Sequence, residues 1–474
     1  MFPAPLVRRL TRIGTAAAVG VTLVATPVTP ALAGVDSGGV GASTVISNTF
    51  ASNEVNYWTD VVLEAYRRKG GGPGPLGRIG AIVEAAMFDA ANGVVISKTG
   101  STQYDSYLIR VRTAKSVEGD LAIGVTARDL LTWLVPGEQA YFNQAFSNRY
   151  GTRNDGPANR LARRIVNEYQ NVRGNDGSGD TTAYTFDTGL GAFQSPQGNC
   201  SAIDPNWGGV TPFAMSSATQ FRTPLPYGSY AELMGSDTYR TQLAEVRSLG
   251  RANSTTRTQN QTDIGYFWAN DLDGTYKPPG QYLDIVRDVA LAKNTDGLLV
   301  ARTIALGSLA MADAGIAAWD MKYRTHIDLW RPVTAIKNDP VNPDPTWQEL
   351  SADYQGNHFS PCFPAYVSGH ATFGGAFAGV LRNLFGDATN TVVTTEDPNY
   401  TGAVSRTYTS FTAMATENAR SRVYLGVHYQ WDADYGQSAG IGIANLVAPP
   451  SGGGGGGGGA IPNEPHDDKD TVAV

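Results

Sequence analysis

Residues 296–321 read DGLLVARTIALGSLAMADAGIAAWDM. The run is apolar almost all the way round a helical wheel, with isolated polar residues in place of a polar stripe. A surface helix keeps one wet face, so a helix without one must be enclosed by other helices. The segment therefore predicts the centre of a helical bundle. Its surroundings agree. In RIGAIVEAAMFDAANGV (78–94), Ile79, Val83, Ala86 and Met87 recur at helical spacing. Residues 54–68, 113–134, 156–171 and 279–293 also read as helices. In 371–386, Phe373, Phe377, Val380, Leu381, Leu384 and Phe385 share one face. Strand alternation is scarce. The predicted fold class is all-α, with two helical-bundle halves at 50–255 and 256–449.

Connecting segments stand out by composition. A Gly/Pro cluster at 70–77 separates the first two helices. A stretch near 174–226, rich in Gly, Pro, Ser and Thr, is expected to wrap the surface or line an entrance. Residues 452–459 are all glycine, so 450–474 reads as a disordered tail without a catalytic role.

At 42% apolar and 10% aromatic, the 474 residues can bury a large core. Net charge is −7, and no basic tract exceeds two or three residues, so nucleic acid is not an expected partner. Residues 1–33 carry Arg8, Arg9 and Arg12, a short apolar run and Ala31-Leu32-Ala33. This is the pattern of a secretory signal peptide with a small-residue cleavage site. No later window reads as apolar enough to cross a bilayer. The expectation is a secreted bacterial protein free of the membrane after signal cleavage. Cys200 and Cys362 are the only cysteines, and their pairing is left open by the sequence.

Three segments concentrate chemistry in the second half. ARSRVYLGVHYQWDADYG (419–436) reads as one helix with His428 and Asp432 four residues apart on a shared face. A carboxylate there fixes the imidazole tautomer, and Arg422, about two turns earlier, can hold an oxyanion. In FPAYVSGHATFGGAF (363–377), Ser368-Gly369-His370 precedes an amphipathic helix, whose N-terminus favours an anion. The plain alternative is that Ser368 only caps that helix. In KYRTHIDLWRPVTAI (322–336), Lys322 and Arg331 flank an expected helix end, with Pro332 stopping it. His326 and His358 belong to no such pattern and read as structural or surface residues. His466 lies in the tail.

Together these segments resemble the signature of the vanadium haloperoxidase and type 2 phosphatidic acid phosphatase superfamily: Lys, a spacer, Arg-Pro; then Pro-Ser-Gly-His; then Ser-Arg, five residues, His, three residues, Asp. The last part matches in full at Ser421-Arg422, His428 and Asp432. In the middle part Val367 replaces proline. In the first part eight residues separate Lys322 from Arg331, where the family has six or seven. Arg324 would restore six at the cost of the lysine, but AAWDMKY (317–323) is similar to the family around Lys322. RIGAIVEAAMFDAANGV, DIGYFWANDLDGTYKPPGQY (263–282) and LAMADAGIAAWDMKY (309–323) extend the likeness, over roughly 55–447, to the exported bacterial haloperoxidase-like branch.

The resemblance implies a vanadate cofactor and, as partners, hydrogen peroxide, a halide and a small organic substrate. Lys322, Arg331, Ser368, Gly369 and Arg422 would bind the oxyanion's oxygens. His428 would be the axial vanadium ligand and Asp432 its orienting partner. His370 would act as acid/base, and Lys322 would polarise bound peroxide. Phe363, seven residues before His370, would belong to the halide pocket, as in the family's chloroperoxidases. Two alternatives share the pocket. One is an acid phosphatase that forms a phosphohistidine at His428. The other is a non-catalytic anion-binding scaffold.

Overall fold

The computed structural model describes residues 49–474 apart from 197, 199, 295, 404 and 451–470. The signal-peptide expectation for 1–33, the glycine run and His466 lie outside the described residues. Fourteen helices are found among the described residues. The first half holds α1 (Thr49–Lys69), α2 (Pro73–Thr99), α3 (Gly119–Leu134), α4 (Gln139–Tyr150), α5 (Gly156–Arg173), α6 (Tyr230–Gly235) and α7 (Asp237–Leu249). The second holds α8 (Gln259–Phe267), α9 (Lys277–Lys293), α10 (Gly297–Tyr323), α11 (Pro332–Lys337), α12 (Gly369–Phe385), α13 (Phe411–Tyr424) and α14 (Gln430–Val447). A short antiparallel hairpin, β2 (Ala388–Thr394) with β3 (Ser405–Ser410), joins α12 to α13. Val472–Ala473, β4, pairs in parallel with Val111–Arg112, β1, so the last described residues of the tail are anchored.

The segment at 296–321 is α10, and nearly every residue of it is buried. Asp296 caps its start by accepting the Leu298 N–H at 2.8 Å. Helix α10 packs along α2 and also against α1, α9, α12 and α14, so one hydrophobic core runs through both halves. Helices α2 and α10 are, by length and composition, each able to cross a bilayer, contrary to the reading that no such window exists. Their apolar surface is instead covered by neighbouring helices, because the centre of a bundle needs the same composition as a membrane span.

Each central helix also carries a buried carboxylate that holds a loop. Asp89 on α2 accepts the N–H groups of Tyr107, Leu108 and Ile109 at 2.6, 3.0 and 3.2 Å. Asp313 on α10 accepts those of Phe213, Ala214 and Met215 at 2.6, 2.8 and 2.8 Å. Three donors per carboxylate offset the cost of burying it. The second clasp pins part of the Gly/Pro-rich 174–226 stretch onto the core.

Helices α12 and α14 approach closely because glycines face each other. A Cβ on Gly440 would lie 2.1 Å from Thr372 O and 2.7 Å from Ala376 N, and one on Gly375 would lie 2.4 Å from Gln437 O. These neighbours are backbone atoms and cannot swing away. Gly440→Ala is therefore expected to destabilise the fold by about 2–3 kcal/mol, measured by denaturant unfolding. A loss below about 0.5 kcal/mol would show that the helices separate freely.

Two expectations need correction. The stretch 419–436 is two helices, not one: α13 ends at Tyr424 and α14 begins at Gln430. Gly426 has φ +82°, and a Cβ there would lie 2.4 Å from Gly250 O, so the chain turns at a point only glycine can occupy. Pro332 does not stop a helix either. Helix α10 ends at Tyr323, and Pro332 is the first residue of α11, where its missing N–H costs nothing.

Candidate active site

The break between α13 and α14 puts His428 in the turn and Asp432 in the first turn of α14. Asp432 Oδ2 accepts the Tyr429 N–H at 3.1 Å and lies 2.9 Å from His428 Nδ1. The pairing expected from a shared helix face is thus made by a helix cap reaching back to a loop histidine. On the far side of the ring, His428 Nε2 is 3.0 Å from Arg331 Nη1. A guanidinium can only donate, so Nε2 carries the lone pair and Nδ1 the proton. Burial first, then Arg331 and Lys322, hold the imidazole well below its usual pKa, so it stays neutral. Burial pushes the Asp432 carboxyl up to about 7, against the pull of Lys322.

Arg331 sits at the N-terminus of α11, fully buried. Its Nε donates to Phe363 O at 2.6 Å and Nη1 to Val427 O at 2.7 Å, while Nη2 has no partner. Burial lowers its pKa to about 9, still leaving it a cation at neutral pH. Arg422, in the last turn of α13, donates from Nη2 to Asp271 Oδ2 at 2.7 Å. Its Nε and Nη1 are unpartnered. Buried unsatisfied N–H groups are costly. Three on two neighbouring guanidiniums point to an anion that satisfies them.

Ser368 caps α12, accepting the Ala371 N–H at 3.3 Å, as the plain alternative has it. Gly369 opens the helix against Trp319, where a Cβ would lie 3.2 Å from the indole. His370 follows, with Nε2 3.1 Å from Ala269 O and 3.9 Å from Asp271 Oδ1. Asp271 was not singled out by the sequence. It lies against Arg422 and His370, and its carboxyl is held below the usual range: burial raises it, but the charge and hydrogen bond of Arg422 outweigh that. No local pattern marks it, because Asn270 and Asp273 flank it and its partner lies 151 residues away.

These groups share one cavity of about 260 Å³. His370, Gly369, Arg422, His428, Asp271 and Phe363 form its inner wall, and Ile203, Cys200, Cys362, Pro361 and Phe359 also line it. Arg331 and Asp432 adjoin it through His428, at 3.0 and 2.9 Å from its ring nitrogens, and Ser368 adjoins it through Gly369. Cys200 and Cys362 are joined by a disulfide, which ties the 174–226 stretch to the loop bearing Phe363. Ile203 N donates to Cys362 O at 2.9 Å and Trp319 Nε1 to Ile203 O at 3.1 Å, so that stretch does line the cavity. Phe363 lies beneath both cations, 4.5 Å from the Arg331 guanidinium and 4.7 Å from Lys322 Nζ. Lys322 is fully buried beside Phe363, and Arg324 is exposed. His326 is exposed and His358 partly buried. Both bond backbone carbonyls, of Tyr227 and Ser351, and neither lines the cavity.

The burial of His370 has a measurable consequence. Desolvation, then the charge of Arg422, lowers its pKa from 6.5 to about 3. The unfolded chain protonates near 6.5 and the folded chain only near 3, so the folded state binds fewer protons in between. His370 thus contributes stability that is complete above pH 6.5 and lost as pH falls toward 3. His370→Gln is expected to remove roughly 2–5 kcal/mol of that pH dependence in the anion-free protein. Denaturant unfolding at pH 4 and 7 measures it, and an unchanged slope would contradict the assignment.

Comparison with known proteins bears on the same region. Residues 302–450 match the VCPO second helical-bundle domain. A vanadium chloroperoxidase from Curvularia inaequalis is 32% identical over 232 residues, which cover 38% of this chain and 37% of that protein. The fold is similar to a bacterial vanadium-dependent iodoperoxidase, with TM-score 0.71 and 24% identity over 88% of this chain and 98% of that one. It is also similar to a bacterial vanadium-dependent chloroperoxidase in its holo form, with TM-score 0.60 and 16% identity over 79% and 91%. Residues 302–450 thus carry the VCPO second helical-bundle domain, and the fold over most of the chain is that of the vanadium haloperoxidases.

Proposed function

We propose that the chain is a vanadate-dependent haloperoxidase that oxidises a halide with hydrogen peroxide and delivers halogen to a small organic substrate. The observation that carries this reading is the set of unpartnered guanidinium N–H groups on Arg331 and Arg422 beside the lone pair of His428 Nε2. Vanadate would suit such a set: the free N–H groups would donate to its oxygens, and His428 Nε2 would ligate its metal. Arg331 and Arg422 would hold it, with the Ser368 hydroxyl and the N-terminal N–H groups of α12 adding donors. Bound vanadate would supply a Lewis-acidic centre on which hydrogen peroxide becomes reactive toward halide.

The remaining work falls to the chain. Asp432 keeps the proton on His428 Nδ1 and so keeps Nε2 available. His370, neutral at working pH, exchanges a proton with the cavity as acid/base. The Asp271 carboxylate, ion-paired with Arg422, orients that guanidinium toward the centre. Phe363 forms the apolar side of the halide position. The disulfide supports an oxidising, extracellular setting, in line with the leader-like first 33 residues.

The test is halogenation of a phenol by peroxide with chloride, bromide and iodide, with and without orthovanadate. A phosphomonoester assay runs alongside. Halogenation that requires orthovanadate is expected. Phosphate release inhibited by orthovanadate, without halogenation, would replace this reading with the phosphohistidine one. Orthovanadate binding with neither activity would leave the scaffold.

A further inference from the structure

Lys322 Nζ lies 2.7 Å from Pro364 O, 2.5 Å from Val367 O and 3.4 Å from Ala365 O. Burial, then the charge of Arg331, lowers the Lys322 pKa well below its usual value, but these three acceptors match three N–H donors, which only the ammonium has. The side chain is fully buried, with Nζ 5.6 Å from the Trp319 ring centre and 4.7 Å from that of Phe363. Arg331 Nε takes the next carbonyl, Phe363 O. The 363–367 segment thus turns its carbonyls toward two cations.

One peptide group in that segment links the site's two halves. The Val367 carbonyl accepts from Lys322, and the same peptide's N–H, that of Ser368, donates to Asp432 O at 2.9 Å. Lys322 therefore grips one side of a peptide plane whose other side is fixed to α14. That plane leads directly into the Ser368 cap, Gly369 and His370. The Asp432 to which it is bonded holds His428 through its carboxylate.

We propose that Lys322 is a positioning residue: its ammonium locks the Val367–Ser368 peptide, and with it the N-terminus of α12 and the start of α14, and it does not donate to the bound oxyanion. This differs from the role the resemblance implies, where the lysine polarises bound peroxide. The functional consequence rests on the oxyanion reading of the cavity. The grip on the peptide does not.

The experiment uses the full chain freed of anions. Backbone hydrogen exchange across 363–371 is compared for the wild type, Lys322→Met and Lys322→Arg. The positioning role predicts roughly tenfold or faster exchange in both variants without any anion, because arginine's planar fork cannot satisfy three carbonyls converging on one nitrogen. Unchanged exchange in the anion-free variants would overturn it, as would full retention of orthovanadate affinity by Lys322→Arg alongside loss in Lys322→Met. Should the variants fail to fold, ¹⁵N-lysine-labelled wild type decides. The Lys322 ammonium resonance is expected to stay in place on titration with inorganic phosphate, and a shift that saturates with the anion would overturn the proposal. Absence of phosphate or orthovanadate binding to the wild type would remove the oxyanion reading itself while the exchange result stood.

Discussion

His428→Ala is expected to reduce vanadate-dependent halogenation by roughly a thousandfold or more. Asp432 fixes the proton on His428 Nδ1, and Nε2, which accepts from Arg331 Nη1 in the anion-free chain, carries the lone pair that the metal would take over. No other side chain in the wall can replace it, since His370 has its Nε2 on Ala269 O. The loss should exceed that of Asp432→Ala, which leaves the ring in place with its tautomer unspecified and is expected to cost about 10- to 100-fold. Added free imidazole should restore part of the activity of His428→Ala and none of that of Asp432→Ala. Steady-state rates at saturating orthovanadate measure both. An alanine variant within tenfold of wild type would mean that His428 is part of the packing and not of the chemistry.

The second large effect is at Arg422. Its Nε and Nη1 are free donors in the cavity wall, and its Nη2 donates to Asp271 Oδ2 at 2.7 Å. Arg422→Met removes two charge-assisted hydrogen bonds to the oxyanion, worth about 1.5–3 kcal/mol each, so orthovanadate affinity should fall by roughly 10²- to 10³-fold or more. It also strands a buried carboxylate, which should destabilise the anion-free fold by about 3–5 kcal/mol. The double variant Arg422→Met/Asp271→Asn separates the two consequences. It should regain most of the stability and none of the affinity. Calorimetric titration and denaturant unfolding read the two quantities independently. Recovery of affinity in the double variant would show that Arg422 only neutralises Asp271.

What the sequence disclosed follows from where the information resides. Lys322, Arg331, Ser368, Gly369, His370, Arg422, His428 and Asp432 lie in three short segments, and within each the spacing carries the geometry. The burial of α10 was legible because a helix with no polar face has one place to go. Asp271 was not legible, since its role exists only through Arg422, brought to it by the packing of α8 against α13. The turn between α13 and α14 escaped because its cause is the neighbouring backbone at Gly250, and local periodicity contains no trace of it. Pro332 was misread for a related reason: proline is compatible with both the end of one helix and the start of the next. The short helices α4 and α7 and the β2–β3 hairpin lacked patterns strong enough to stand against their polar composition.

The central claim is that a tetrahedral oxyanion occupies the cavity between Arg331, Arg422 and His428. Its most direct test is a crystal structure of the full chain soaked with orthovanadate. The account predicts density at that point, with oxygens on Arg331 Nη2 and on Arg422 Nε and Nη1, and vanadium bonded to His428 Nε2. Vanadate bound elsewhere, or a cavity whose Arg422 donors remain unpartnered at saturating orthovanadate, would contradict it.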